Sequence, residues 1–266
     1  RVFFYTQLGM NNFTFNAVRK TGLFFHDALG EVALVPTQLH LGAGLTAWGG
    51  PLRFTAPSVA SIMGLDAPIY QQINNDVNDQ FDRRLALYLK GTVGRVNYRA
   101  VMARPMLLTN ATAGVDALGS ARVPAGVATF NPHARQLQYS GYAAYNFFDI
   151  ENPVTPYMAG TYLGTKRVLS VGVGGLYQHD AMYYARPNTP DTVTAAQLEI
   201  GADVFYEQPV GTAGQALNVY AAYHLTDAGP GYVRNLGPNN PVPAAASGPA
   251  AFNGTGIAFP MFGTGS

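Results

Sequence analysis

Apolar and polar residues alternate strictly along several stretches of this chain. In Gln197–Tyr206, Leu198, Ile200, Ala202, Val204 and Tyr206 share one parity, and Gln197, Glu199, Gly201, Asp203 and Phe205 take the other. Ala216–Leu225 repeats the pattern, with Leu217, Val219, Ala221, Tyr223 and Leu225 set against Ala216, Asn218, Tyr220, Ala222 and His224. Successive side chains of a strand point to opposite faces, so each stretch predicts a strand with one apolar and one mostly polar face. Between them, residues 207–215 carry Pro209, Gly211 and Gly214 and read as a turn.

The same period predicts strands over Arg1–Leu8, Phe25–Val35, Gln38–Trp48, Phe81–Thr92, Val96–Ala103, Gln136–Phe148 and Arg167–Gln178. In Phe81–Thr92, Leu85, Leu87 and Leu89 oppose Arg84, Ala86, Tyr88 and Lys90. That makes nine strands, with a further one beginning near Gly256. Connections alternate in length: 36–37, 93–95 and 208–214 are short, whereas 49–80, 107–134, 179–194 and everything after 226 are long. Asp149–Lys166 breaks the rule, being long at an end where a short turn is expected.

A strand of about ten residues with apolar-out, polar-in alternation suits a tilted crossing of a bilayer, and unequal loops at the two ends mark outer-membrane barrels. No stretch approaches 18 consecutive apolar residues, so no transmembrane helix is predicted. A bilayer protein without such a helix has to be a closed barrel, because open sheet edges are not tolerated in lipid. The expected fold is therefore all-β, an antiparallel transmembrane β-barrel, with residues 1–266 as a single domain. The odd strand count predicts that closing strands lie beyond residue 266, and a start at Arg1 predicts a trimmed form.

Composition adjusts this picture modestly. Charged residues make up 12% of the chain, against roughly 25% in ordinary soluble domains. The 16 Tyr and 15 Phe, beside a single Trp, suit interfacial aromatic girdles. A soluble β-sandwich shares such figures. A net charge of +1, with no basic run longer than two residues, argues against nucleic-acid binding. The absence of Cys removes disulfides, thiolate metal sites and a Cys nucleophile.

Five phrases carry a family resemblance: FFHDA at 24–28, LHLGAGLTAWGG at 39–50, APSVASIMGLDAPIYQQ at 56–72, NDVNDQFDRRLALYLKG at 75–91 and PYMAGTYLGTKRVLSVGVGG at 156–175. Together they resemble the phosphate-selective porin (O/P-type) family of Gram-negative outer membranes, over most of 1–225. The resemblance implies a homotrimeric diffusion channel with a barrel of about sixteen strands. Phosphate selectivity does not carry over, because family members with it line the pore with an Arg ladder and a Lys cluster. Here the polar parity mixes Arg84, Lys90 and Arg99 with Asp27, Glu31, Glu199 and Asp203.

Within that reading, Arg84, Tyr88, Lys90, Asn97, Arg99, Glu199, Asp203, Asn218 and His224 are the expected pore-lining residues. Arg84, Lys90 and Arg99 form either a basic wall drawing anions inward or a network neutralised by Glu31, Glu199 and Asp203. Loop 49–80 is the candidate constriction, with Arg53, Asp66 and Tyr70 setting the field and Ser58 capping a short helix over Val59–Met63. The other reading of that loop is an external segment packed against a neighbouring subunit. Asp76, Asn78 and Asp82 imitate a calcium loop, but the required Gly is missing and Leu87 stands where a bidentate Glu belongs, so no metal is expected.

Of the five histidines, only His40 and His224 sit at the polar parity of clear strands, and neither has a Ser or carboxylate at diagnostic spacing, so no catalytic residue and no enzymatic activity is expected. Gly172, Gly174 and Gly175 sit inside a strand, not before a helix, and do not make a phosphate loop. The expected function is passive diffusion of small hydrophilic solutes or anions through the outer membrane of a Gram-negative bacterium. Outer-membrane lipid and lipopolysaccharide are its expected partners, and no cofactor is expected. Two alternatives stay open: a plugged or narrow barrel with a structural or adhesive role, and a soluble all-β sandwich.

Overall fold

The computed structural model describes residues 1–9, 23–55, 83–105, 126, 128–131, 133–155, 157–189, 191–211 and 214–232. Every regular element among them is a strand: β1 (Val2–Gly9), β2 (Phe24–Val35), β3 (Leu39–Thr46), β4 (Arg84–Val93), β5 (Val96–Ala103), β6 (Thr129–Phe130), β7 (Gln138–Asn146), β8 (Val168–Ala185), β9 (Thr192–Pro209) and β10 (Ala216–Asp227). They form one antiparallel sheet in the order β1-β2-β3-β4-β5-β7-β8-β9-β10, with β6 pairing β8 outside that path. Apart from β6, each strand thus lies beside its neighbour in sequence. Among the described residues the sheet is open, and β1 and β10 are its edges.

The register brings residues of the polar parity opposite one another. Lys90 lies opposite Arg99, Tyr142 opposite Gly174, and Gly172 opposite Asp203. Tight turns fix it: Val93 pairs with Val96, leaving Gly94 and Arg95 as a two-residue hairpin loop. Gly94 takes φ +59°, which an L side chain at that position resists and which matches the twist of the flanking strands.

Two predicted boundaries move. Residues 179–194, expected as a long loop, mostly continue β8 and β9 to 18 residues each, and the connection shrinks to 186–191. A register shift between Gln178 and Met182 breaks the period there, which hides the continuation from a pattern search. β6 has only two residues, too short to show a period. Above the shift, Ala128, Phe130, Ala181, Met182 and Ala228 make a small apolar cluster of their own.

The two faces of the sheet invert the usual order of a water-soluble domain. Leu85, Leu87 and Leu89 are exposed, while Arg84, Tyr88 and Lys90 between them are buried. Likewise Ile200 and Val204 are exposed, and Glu199, Asp203 and Glu207 are buried. The exposed face carries large aromatics towards both ends. Tyr139 pairs with Tyr177 at one level, while Tyr145 and Phe147 stand near the other, with Tyr206 beside Leu169.

Candidate functional site on the buried face

Strand parity delivers nearly all of the predicted polar residues to one face. Arg84, Tyr88, Lys90, Asn97, Arg99, Glu199 and Asp203 are buried there, and Asn218 and His224 on β10 are half-buried. Asp66 and Tyr70 lie outside the described residues, as do Asp76, Asn78, Asp82 and the stretch 59–63.

Two cations facing each other across adjacent strands repel unless each has its own compensation. Lys90 and Arg99 are such a pair, and their side chains diverge. The Lys90 ammonium lies 3.0 Å from Glu31 Oε2, donates to the Val154 carbonyl at 2.8 Å and sits 4.4 Å from the Trp48 ring centroid. Arg99 donates to the Leu52 carbonyl at 2.5 Å and lies over the Tyr142 ring. Glu31 is a hub: it also accepts from Tyr88 Oη at 3.0 Å and lies 2.5 Å from His40 Nδ1. Further along the sheet, on β9, Asp203 accepts from Tyr142 Oη at 2.8 Å, Tyr220 Oη at 3.2 Å and the Arg53 backbone N–H at 2.6 Å. His224 Nε2 stands 3.4 Å from Glu199.

Two chain segments cover this face, one from each end of the sheet. Because β3 and β7 run in opposite directions, the segment after β3 and the segment after β7 enter from opposite ends. Residues 47–55 cross from β3 towards β9 and β10. Trp48 packs on Tyr88, and Phe54 packs edge-on against Phe205 and Tyr220. This crossing needs a wall without side chains. At Gly174 an added Cβ would overlap the Pro51 carbonyl oxygen, and at its cross-strand partner Gly201 it would meet the Leu52 side chain. Gly174→Val is accordingly expected to destabilise the fold by about 1–3 kcal/mol, as overpacking does. Denaturant unfolding checks it, with Gly175→Val, whose position does not face Pro51, as comparison.

The second segment, 147–167, is the connection whose length broke the sequence rule. Its length is now explained, because it folds onto the buried face instead of turning back directly. Tyr157 donates to Asp27, lies 2.9 Å from Gln7 Oε1 and accepts from Arg83 at 2.7 Å, tying the segment to β1 and β2. Glu207 on β9 accepts the Tyr162 and Gly164 N–H groups at 2.7 and 3.0 Å. Asn218 on β10 reaches the Gly160 carbonyl at 3.5 Å.

The segments meet at Arg53 and Glu151. Arg53 Nη1 and Nη2 donate to Glu151 Oε2 and Oε1 at 2.7 and 2.6 Å, and Nη2 also donates to the Ala159 carbonyl at 2.9 Å. Both side chains are at most 1% exposed. The Arg53 guanidinium lies 3.9 Å from the Phe205 ring centroid, and Tyr162 Oη donates to Glu151 at 2.5 Å. Burial works against the Arg53 charge, but the Glu151 carboxylate outweighs it and holds the group above its ordinary range. Burial pushes the Tyr162 phenol up, reinforced by Glu151 and opposed by Arg53. It does the same for Tyr157, where Arg83 opposes the rise and Asp27 adds to it. Both phenols therefore stay protonated donors at neutral pH.

Of the expected constriction residues, Arg53 thus occupies the interior with its charge matched. Sequence reasoning missed Glu151, Tyr157 and Tyr162, and the one available signal was the anomalous length of their connection. No group of three or more His, Cys, Asp or Glu suited to a metal occurs among the described residues. Comparisons with protein-family models, curated proteins and solved structures find no match to this chain.

Proposed function

We propose that this chain builds a transmembrane β-barrel of the outer-membrane porin type, passing small hydrophilic solutes or anions by passive diffusion. The observation that carries the reading is the inversion of the two faces, with leucines out and Arg84, Tyr88 and Lys90 in. In water such a face loses hydrophobic stabilisation along its whole length, whereas against lipid it gains it. The outward aromatics add support. Tyr177 stands about eight residues along β8 from Leu169, the partner of Tyr206, or roughly 26 Å at ~3.3 Å per residue. A strand tilt of about 35–45° reduces this to a height of roughly 20 Å, which fits within the ~25 Å apolar band of such barrels.

Strand direction bears on closure. Nine successive antiparallel strands leave β1 and β10 running the same way. A wholly antiparallel ring therefore takes an odd number of further strands between them. Curling is supported by the stretch from Tyr157 to Gly160, which spans about 10 Å when extended. It nonetheless bonds to Gln7 on β1 and Asn218 on β10, edges that a flat sheet would hold about 38 Å apart. A homotrimer in the outer membrane, bathed by lipid and lipopolysaccharide, belongs to the same reading, and solute selection rests on pore width and charge without covalent chemistry.

The test is single-channel current of the protein in a planar bilayer under a salt gradient, with phosphate titrated in. Stepwise conductance is expected. A second reading, a plugged or narrow barrel with a structural role, is favoured by the meeting of 47–55 and 147–167 at Arg53 and Glu151. Folded, inserted protein that passes no current would establish that reading in place of the first.

A further inference from the structure

We infer that the buried Arg53–Glu151 pair is a latch that holds the stretch around Glu151, within residues 147–167, as a yielding plug in the lumen; the inference rests on the reading of the buried face as a lumen. Three observations carry it. First, the pair is the point where segments from opposite ends of the sheet join, so its contacts do not belong to one segment's own fold. Second, its partners are distributed unequally. Residues 47–55 are seated on the wall through Asp203, Arg99 and the glycine recess, and remain held there if the pair is lost. The stretch around Glu151 is held mainly by Arg53, by Tyr162 within its own segment and by the Lys90 contact to Val154, whereas residues 157–164 keep ties of their own to the strands through Tyr157, Glu207 and Asn218.

Third, the second segment has room to move. A cavity of about 200 Å3 opens among Glu151, Val154, Tyr157, Met158, Tyr162 and Lys166. All of these residues belong to the segment itself, so the space lies inside its fold, and a loosely packed segment yields more readily than a close-packed one. Neutralising Glu151 leaves the Arg53 charge buried without its counter-ion, and the cheapest relief is to let water in through the cavity that Glu151 and Met158 share within the second segment. The interior then widens without any change in the strands.

The chain contains no Cys, so single introduced thiols report cleanly. Met158 is buried beside Leu52, Phe54 and Phe205, and Ala86 is buried on β4 away from the latch. Protein carrying Met158→Cys or Ala86→Cys is folded into phosphatidylcholine vesicles, and its labelling by a water-soluble maleimide is timed with and without Glu151→Gln. The expected result is roughly tenfold or faster labelling at position 158 and no change at position 86. Unchanged labelling at 158 overturns the latch. If Glu151→Gln raises labelling at both positions the sheet has failed, and Tyr162→Phe, which removes a single hydroxyl from Glu151, decides instead. A selective rise at 158 sustains the latch, and no rise overturns it. The same proteins in planar bilayers separate the two claims. Faster labelling with larger unit conductance sustains both, while faster labelling with no current in any variant keeps the latch and removes the channel.

Discussion

Val173→Arg is expected to cost about 2–4 kcal/mol of folding stability in a lipid bilayer, the depth-dependent penalty for a charge on the lipid face near the midplane. Val173 is 59% exposed on β8, opposite Ala202 and Ala143, about midway between the levels of Tyr177 and Leu169. The same change at Leu198, which pairs with Tyr177 near one aromatic row, is expected to cost only ~0–1 kcal/mol. The gradient between the two sites is the informative quantity. On a water-facing surface both substitutions would fall within about 0.5 kcal/mol of zero, because an exposed arginine there is ordinary. Reversible denaturant unfolding of the protein in vesicles of thin bilayers measures both. Equal, small effects at the two positions would remove the lipid-facing assignment.

The strands were legible because each side-chain parity has a different chemistry. Ten residues such as Gln197–Tyr206 show the period directly, and the turn at 210–215 is marked by its Pro and Gly neighbours. Short turns account for the pairing of β2 with β3, β4 with β5 and β9 with β10, whereas β1 with β2, β3 with β4, β5 with β7 and β7 with β8 pair across long connections. Less visible was anything that depends on what fills the space beside the sheet. The continuation of β8 past Gln178 is masked by its register shift, where four steps along β8 from Gln178 to Met182 span only two on β9.

The wall residues were legible for the same reason, since parity places Arg84, Lys90, Arg99, Glu199 and Asp203 on one face whatever the curvature. Their partners were not. Nothing in the order of residues brings Glu151 to Arg53, 98 positions away, or Asp203 to the Arg53 backbone across 150. Gly174 and Gly201 were an unread signal. Recurrent glycine at the polar parity of adjacent strands marks a recess where another segment lies against the wall, and Pro51 and Leu52 occupy it.

Glu31→Ala is expected to cost about 3–5 kcal/mol, as removal of one partner from a buried ion pair does. Glu31 gathers His40, Tyr88 and Lys90, and both ends of the Lys90 pair are no more than 5% exposed. Without it the ammonium keeps only carbonyl partners on 147–167 and the Trp48 face, and it stands opposite the Arg99 cation with nothing between to balance them. Lys90→Met in the same chain removes the orphaned charge, so the double variant should recover much of the loss, with a coupling of about 0.5–3 kcal/mol in a double-mutant cycle. The size of the single effect also separates the two readings of the interior. A lumen open to bulk water at this level would hydrate Lys90 and reduce the cost to about 1 kcal/mol or less. A loss of several kcal/mol, measured by denaturant unfolding in vesicles, would place Glu31 in a packed interior and confine any water path to the side lined by β9 and β10. There the inward residues Asn218 and His224 are only half-buried, and a passage along them would meet Glu199 and Asp203 before any unpaired cation.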